Sequence, residues 1–118
     1  MDKTLNILLL SATIFLNIIF YCYAHEDDIP FAEWMLSLKQ PDNPVASCCG
    51  PVDQYYALSY EGAANGFTVR FINKQNQIQQ ISVPEEKVIY GINNPTGKGV
   101  LFISSYGQIF CFIPSNGV

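Results

Sequence analysis

The sequence has very little of what most catalytic and metal sites need. It contains a single histidine, His25, and only 14% of its residues are charged. A catalytic triad or a cysteine–histidine pair requires a histidine held against the nucleophile, and His25 would lie at the start of the exported chain. The glycine and lysine spacing of a phosphate-binding loop is also missing. We therefore expect no enzymatic activity, no catalytic residue and no cofactor.

A cluster of basic residues is the second absence. The formal net charge is −4, and the basic residues that follow position 24 are scattered along the chain: Lys39, Arg70, Lys74, Lys87 and Lys98. Binding to nucleic acid depends on several basic groups that neutralise phosphates together. This distribution excludes nucleic acid as a partner and leaves a protein of the cell envelope as an open possibility.

Long apolar runs are absent except at the start of the chain. Lys3 precedes an apolar stretch over Leu5–Tyr21, and the small residues Cys22 and Ala24 follow it. This order is typical of a secretory signal peptide, so we interpret residues 1–24 as a signal peptide. The stretch is close to the shortest that spans a bilayer. If it stayed uncleaved it would provide the protein's only contact with a membrane.

Residues 25–118 are expected to form one small α+β domain. The spacing of four apolar residues predicts an amphipathic helix near its start: Phe31, Trp34, Met35 and Leu38. Asp27 and Asp28 suit the beginning of this helix, and Pro41 would end it.

From Gln54 onwards, alternating β-branched and aromatic residues predict strands. The expected segments are Gln54–Tyr60, Phe67–Asn73, Ile78–Val83, Val100–Ser104 and Gln108–Pro114, with one helical turn after Pro84. We therefore expect one N-terminal helix packed on an antiparallel sheet of about five strands. A barrel-like sheet is an alternative form of this fold.

Three cysteines follow the signal segment: Cys48, Cys49 and Cys111. A bond between adjacent cysteines would need Cα atoms about 3.8 Å apart, below the usual minimum near 4.4 Å. A bond from either one to Cys111 meets no such distance limit. The entropy that it removes from the unfolded chain predicts a stabilisation of about 4 kcal/mol. We take Cys49 as the partner of Cys111, with Cys48 as the alternative. Cys111 is expected to be buried in a central strand.

The same cysteines support an alternative function, a thiol-based redox protein or a site for copper or zinc. Redox exchange usually employs a Cys-x-x-Cys motif, which this chain lacks. Zinc needs four ligands, or three and a water, so a zinc site would use Cys48, Cys49, Cys111 and His25 together. We expect no metal site, and these cysteines are the candidates if one exists.

Aromatic residues provide the only other candidate site. The chain has seven tyrosines and one tryptophan. An aromatic binding face could form from the tyrosines Tyr55, Tyr56, Tyr60, Tyr90 and Tyr106 with Trp34. The four main candidates are Tyr55, Tyr56, Tyr60 and Trp34. Half-exposed tyrosines are common on strands, so the pattern indicates a surface without naming a ligand.

The order of several short motifs resembles a group of small exported proteobacterial proteins. The motifs are Trp34 in a short helix, Ser-Cys-Cys-Gly-Pro-Val-Asp at Ser47–Asp53, Val-Pro-Glu-Glu-Lys-Val at Val83–Val88, and Cys-Phe-Ile-Pro at Cys111–Pro114. The resemblance covers nearly all of the chain after the signal segment. It implies export and a small disulfide-bonded domain, and it implies no activity.

The chain departs from that group at two cysteine positions. Members of the group often have a cysteine directly after the Asp and another in the penultimate strand, where this chain has Gln54 and Leu101–Ser104. The resemblance therefore implies that one disulfide has been lost and that a bond from Cys48 or Cys49 to Cys111 survives. Together these observations favour a periplasmic or secreted, non-enzymatic module with a structural or binding role in the cell envelope.

Overall fold

The structure, a computed structural model, describes residues 31–50 and 52–116. These residues form one α-helix and eight β-strands: α1 Ala32–Ser37, β1 Lys39–Gln40, β2 Asn43–Ser47, β3 Asp53–Tyr56, β4 Ser59–Ala63, β5 Gly66–Ile72, β6 Ile78–Pro84, β7 Val100–Ile103 and β8 Ile109–Ile113. A 3-10 helix, Glu85–Lys87, follows β6. The expected α+β fold with a single five-stranded sheet is wrong, because the described residues are mostly β.

The helix is shorter than the apolar spacing predicts. α1 has six residues, and Leu38 is already extended. The carbonyl of Leu38 accepts a hydrogen bond of 3.0 Å from the backbone N–H of Cys48, so the chain leaves the helix to form the β1–β2 hairpin. The predicted start at Asp27 and Asp28 and the signal segment lie outside the described residues. No helix within residues 31–50 and 52–116 is long and apolar enough to span a membrane.

The strands form three antiparallel sheets instead of one. β1 pairs with β2, β7 lies between β3 and β8, and β5 lies between β4 and β6. The segment Gln54–Tyr60, predicted as one strand, divides between two sheets. Its backbone changes partner at Ala57, whose N–H donates to Gly99, and at Leu58, whose N–H donates to Arg70. No sheet formed by the described residues closes into a barrel.

The β3–β7–β8 sheet is the middle layer, and both of its faces are buried. One face contributes to the disulfide cluster: Met35, Leu38, Cys48, Cys49, Val52, Val100, Phe102, Cys111 and Ile113. The other contributes to the aromatic cluster: Phe67, Val69, Phe71, Val83, Val88, Leu101, Ile103 and Phe112. The prediction that β8 is central is wrong. β7 is the central strand, and in the described residues β8 receives only one further bridge, from Val88 to Phe112.

A β-bulge alters the expected alternation of side chains along β8. Phe102 lies opposite Cys111, whereas Ile103 lies opposite Ile109, so Phe110 is an extra residue on β8. Strict alternation predicts Ile109 on the same face as Cys111. The bulge instead moves Ile109 to the aromatic cluster, while Phe110 packs with the disulfide cluster.

Tyr60 packs edge to face on two rings of the aromatic cluster. The Tyr60 ring is 5.2 Å from Phe112 and 5.7 Å from Phe67, at an interplanar angle of 73° to each. The backbone N–H of Ser115 donates to the Tyr60 hydroxyl at 2.9 Å. Gly99 lies directly against the Tyr60 ring, since an added Cβ would be 2.9 Å from Tyr60 Cε1. The ring therefore links three distant parts of the chain.

A buried asparagine fixes the loop between the 3-10 helix and β7. The Nδ2 of Asn94 donates to the carbonyls of Lys98 at 2.7 Å and Pro114 at 3.1 Å. Its Oδ1 accepts from the backbone N–H of Thr96 at 3.0 Å. The backbone N–H of Asn94 donates to Oδ1 of Asn116 at 2.9 Å. A polar side chain that is 1% exposed is stable here because its hydrogen-bonding groups are paired.

Candidate functional site

The disulfide joins Cys48 to Cys111. Its S–S distance is 2.02 Å, its Cα atoms are 5.5 Å apart, and both residues are 0% exposed. The expected bond to Cys111 and the burial of that residue are confirmed, and the partner is Cys48, which the sequence left as the alternative to Cys49. The bond indicates an oxidising, extracytoplasmic environment.

Within residues 31–50 and 52–116 there is no free thiol for the alternative function. Cys49 is 8% exposed, and none of the described cysteines is free. Residues 31–50 and 52–116 also bring no three histidine, cysteine or carboxylate side chains into a group that could hold a metal ion. Cys48 and Cys111 therefore form a buried structural bond.

The four candidate aromatic residues do not share one face. Trp34 and Tyr56 pack against the disulfide cluster, whereas Tyr55 and Tyr60 pack against the aromatic cluster. Tyr55 and Tyr56 are neighbours on β3, and successive strand residues point to opposite faces. The middle sheet thus separates the pairs, and only Tyr55 reaches the cleft described next.

A cleft of about 380 Å³ opens where two hairpin turns meet at one end of the molecule. We call it the turn cleft. It lies between the β5–β6 turn and the β7–β8 turn. Its lining includes Asp53, Tyr55, Phe71, Asn73, Lys74, Gln75, Gln79, Ile103, Ser104, Ser105, Tyr106 and Gly107. Phe71 on β5 and Ile103 on β7 provide the buried part of this lining, β3 adds the half-buried Asp53 and Tyr55, and the turns provide the polar rim.

Side-chain hydrogen bonds hold both turns in shape. In the β5–β6 turn, Oδ1 of Asn73 accepts from the backbone N–H groups of Gln75 and Gln77, both at 3.0 Å. In the β7–β8 turn, Oγ of Ser104 accepts from the N–H groups of Tyr106 at 3.3 Å and Gln108 at 3.0 Å. These hydrogen bonds hold both turns in one conformation before any ligand binds.

An ion pair joins β3 to the β5–β6 turn across the cleft. Lys74 Nζ lies 2.8 Å from Asp53 Oδ2. The hydrogen bond to Asp53 raises the pKa of Lys74 above its ordinary value. Burial, followed by the nearby Asp53 charge, raises the pKa of the Tyr55 hydroxyl. At neutral pH the site thus contains an ion pair between an ammonium group and a carboxylate, and a protonated phenol.

Two tyrosines give the cleft its aromatic surface. The Tyr55 ring lies 4.7 Å from the Phe71 ring and is fixed by that contact. Tyr106, at the tip of the β7–β8 turn, is 96% exposed. The cleft therefore combines one fixed ring with one ring that is open to solvent.

Two other hollows lack the charged pair of the turn cleft. One, also of about 380 Å³, is lined by the β4–β5 turn and the end of β6. The other, of about 240 Å³, lies beside Tyr90 and Pro114. Neither is lined by a charged side chain of the described residues, so the turn cleft is the candidate functional site.

Comparison with known proteins adds no assignment. No family model, no curated protein and no solved structure matches this chain. Tyr55 and Tyr106 were candidates from the sequence as aromatic residues, whereas Asn73, Lys74 and Ser104 were not. Asn and Ser at the starts of turns are readable signals of local hydrogen bonding. No such signal shows that two turns about thirty residues apart lie side by side.

Proposed function

We propose that the protein is an exported, non-enzymatic binding module of the cell envelope, and that the turn cleft binds a neutral saccharide. The observation that carries this proposal is the placement of the 96% exposed Tyr106 beside a preformed polar cleft. Functional residues commonly lie on loops that a rigid scaffold positions.

The charge state of the cleft favours a neutral ligand. Lys74 and Asp53 neutralise each other at 2.8 Å, which removes the electrostatic reason to bind an anion or a cation. The remaining polar groups at the rim, including Gln79 and Ser105, can both donate and accept hydrogen bonds. Hydroxyl groups around a sugar ring need both kinds of partner.

The aromatic rings supply the complementary apolar contact. A sugar ring has a face of C–H groups that can pack on the face of an aromatic side chain, and a tyrosine adds a polar hydroxyl. Tyr106 is available for such a contact, and Tyr55 lies deeper in the cleft. A few polar groups that fix orientation beside an aromatic surface are typical of small-molecule sites.

The proposed location is the periplasm or the exterior of the cell. The buried disulfide supports an extracytoplasmic compartment, and residues 1–24 have the composition of a signal peptide. Membership in the group of small exported proteins that share the motifs at Ser47–Asp53 and Cys111–Pro114 would agree with this location.

The thiol-based alternative has less support. A redox or metal protein needs sulfur atoms that a substrate or an ion can reach. Cys48 and Cys111 are 0% exposed and bonded to each other. A binding module requires no reaction at these atoms, so their burial agrees with the first proposal.

Titration with neutral envelope oligosaccharides, followed by NMR chemical shifts of the backbone amides, tests the proposal. We expect shifts confined to residues 53–55, 71–79 and 103–107, and at least tenfold weaker binding in Tyr106→Ala. Tyr90→Ala is the matched control, since Tyr90 is also exposed but lies outside the cleft. Absence of saccharide binding, or equal loss in both variants, would overturn the proposal.

A further inference from the structure

β6 is the longest outer strand of the described structure, and apart from Pro84 at its end it carries no protection against pairing with another chain. It has seven residues, and among the described residues it pairs on one side only, with β5. The register with β5 runs from Ile78 to Pro84 without a bulge. Natural edge strands usually carry a charge, a bulge or a cover that prevents further pairing.

The other outer strands differ from β6 in these respects. β8 has the bulge at Phe110 and the bridge from Val88. β4 has five residues with Glu61 at its centre. β3 has four residues and begins with Asp53. β6 alone among these strands combines length, a regular register and a complete lack of charged side chains.

The lack of charge suits one occupant in particular, a second copy of the same strand. Two-fold pairing brings a strand against itself in antiparallel orientation, so any charged side chain near the axis would meet a like charge. No residue from Ile78 to Pro84 is charged. With the axis beside Gln80, the Gln80 amides of the two copies would lie opposite each other and could exchange hydrogen bonds.

The ends of the strand are complementary in the same orientation. Lys74, whose side chain is 57% exposed, lies just before β6. Glu85 and Glu86 follow directly after it. Antiparallel pairing places Lys74 of one copy, which also pairs with Asp53 of its own chain, beside the acidic end of the other. It also covers Ile78, which is 60% exposed at the end of the strand.

The geometry points to an isologous dimer in which β6 of two copies pair antiparallel and join two β4–β5–β6 sheets into one six-stranded sheet. Backbone hydrogen bonds provide the affinity, as in other cases of strand addition. Among the described residues that line the turn cleft, only Gln79 lies on β6. Strand pairing uses backbone groups, so it leaves both saccharide sites of the dimer accessible. A short edge interface is small, and we expect a dissociation constant on the order of micromolar.

Analytical ultracentrifugation of the purified protein over a range of concentrations tests the dimer. Gln80→Lys and Gln80→Glu would each place two like charges at the axis, and each should weaken self-association at least tenfold. An equal mixture of the two variants should restore dimers, because opposite charges then meet. The matched control is Ala63→Lys, on the opposite edge of the same sheet.

The mixture distinguishes lost pairing from lost folding. Gln80 lies opposite Arg70 on β5, so the lysine variant adds a repulsion within one copy and the glutamate variant adds an attraction. Dimer loss in both variants, with recovery on mixing, therefore reports contact between copies. A monomer at every concentration, an assembly larger than a dimer, or equal weakening by Ala63→Lys would overturn the inference.

Discussion

The two faces of the middle sheet are covered in different ways. On one face a six-residue helix and a short hairpin complete the disulfide cluster, and a covalent bond joins Cys48 to Cys111. On the other face a regular three-stranded sheet completes the aromatic cluster. The face with little regular secondary structure is thus the one with the covalent link. A small domain buries a smaller fraction of its surface than a large one, so a covalent link contributes a larger share of its stability.

The largest effect should come from removal of the disulfide. Cys111→Ser opens a loop with a sequence separation of 63, and chain entropy predicts a loss of about 4 kcal/mol in the free energy of unfolding. Denaturant unfolding measures it. The double variant Cys48→Ser/Cys111→Ser should lose no more than the single one. An unchanged unfolding midpoint would mean that the helix and hairpin cover their face without the bond.

A substitution at Gly66 tests the aromatic face without touching the disulfide. Gly66 has a φ of +140°, and a Cβ there would lie 1.9 Å from the carbonyl oxygen of Val83. Gly66→Ala should destabilise the protein by about 2–4 kcal/mol, because the β5–β6 pairing must shift. Gly62→Ala is the control, since no atom lies within 4 Å of its added Cβ. Similar unfolding midpoints for the two variants would contradict this prediction.

The smallest effect concerns an ion pair that links the two regions. Lys87, in the 3-10 helix, lies 2.7 Å from Asp42 in the β1–β2 turn, and this hydrogen bond lowers the pKa of Asp42. A carboxyl group whose pKa is lowered in the folded state stabilises the fold at pH values above its ordinary pKa. This contribution disappears as the pH falls through the lowered pKa.

Asp42→Asn should therefore cost at most about 1 kcal/mol at neutral pH, because the pair is partly exposed. Thermal unfolding at several pH values measures the difference between the variant and the unchanged protein. That difference should shrink at acidic pH. A difference that stays constant down to strongly acidic pH would show that Asp42 contributes through its shape and not its charge.

The sequence was sufficient for the parts of the fold that depend on local pattern. The strands β5 to β8 and the helical turn after Pro84 lie within a few residues of their predicted positions. Their alternation and turn residues are local signals. The helical spacing of Phe31 to Leu38 was misleading at its end, because an apolar residue such as Leu38 fits a helix and an extended segment equally well.

The features that were missed depend on contacts between distant residues. Nothing near Ala57 signals that the chain passes from one sheet to another, since Gly99 and Arg70 supply the hydrogen bonds there. Cys48 and Cys49 differ only in which side their side chains point to, so their spacing could not select the partner of Cys111. The turn cleft exists because sheet topology brings two turns together, which no local pattern records.

The buried amide of Asn94 also has a consequence for proteolysis. The carbonyl of Pro114 and the side chain of Asn116 satisfy groups of a residue in the 92–99 loop. A protease that trimmed the chain past Pro114 would remove these partners and leave polar atoms buried without compensation. The loop before β7 would then open and become the next cleavage site. Integrity of the carboxyl-terminal residues is thereby coupled to the survival of the whole domain.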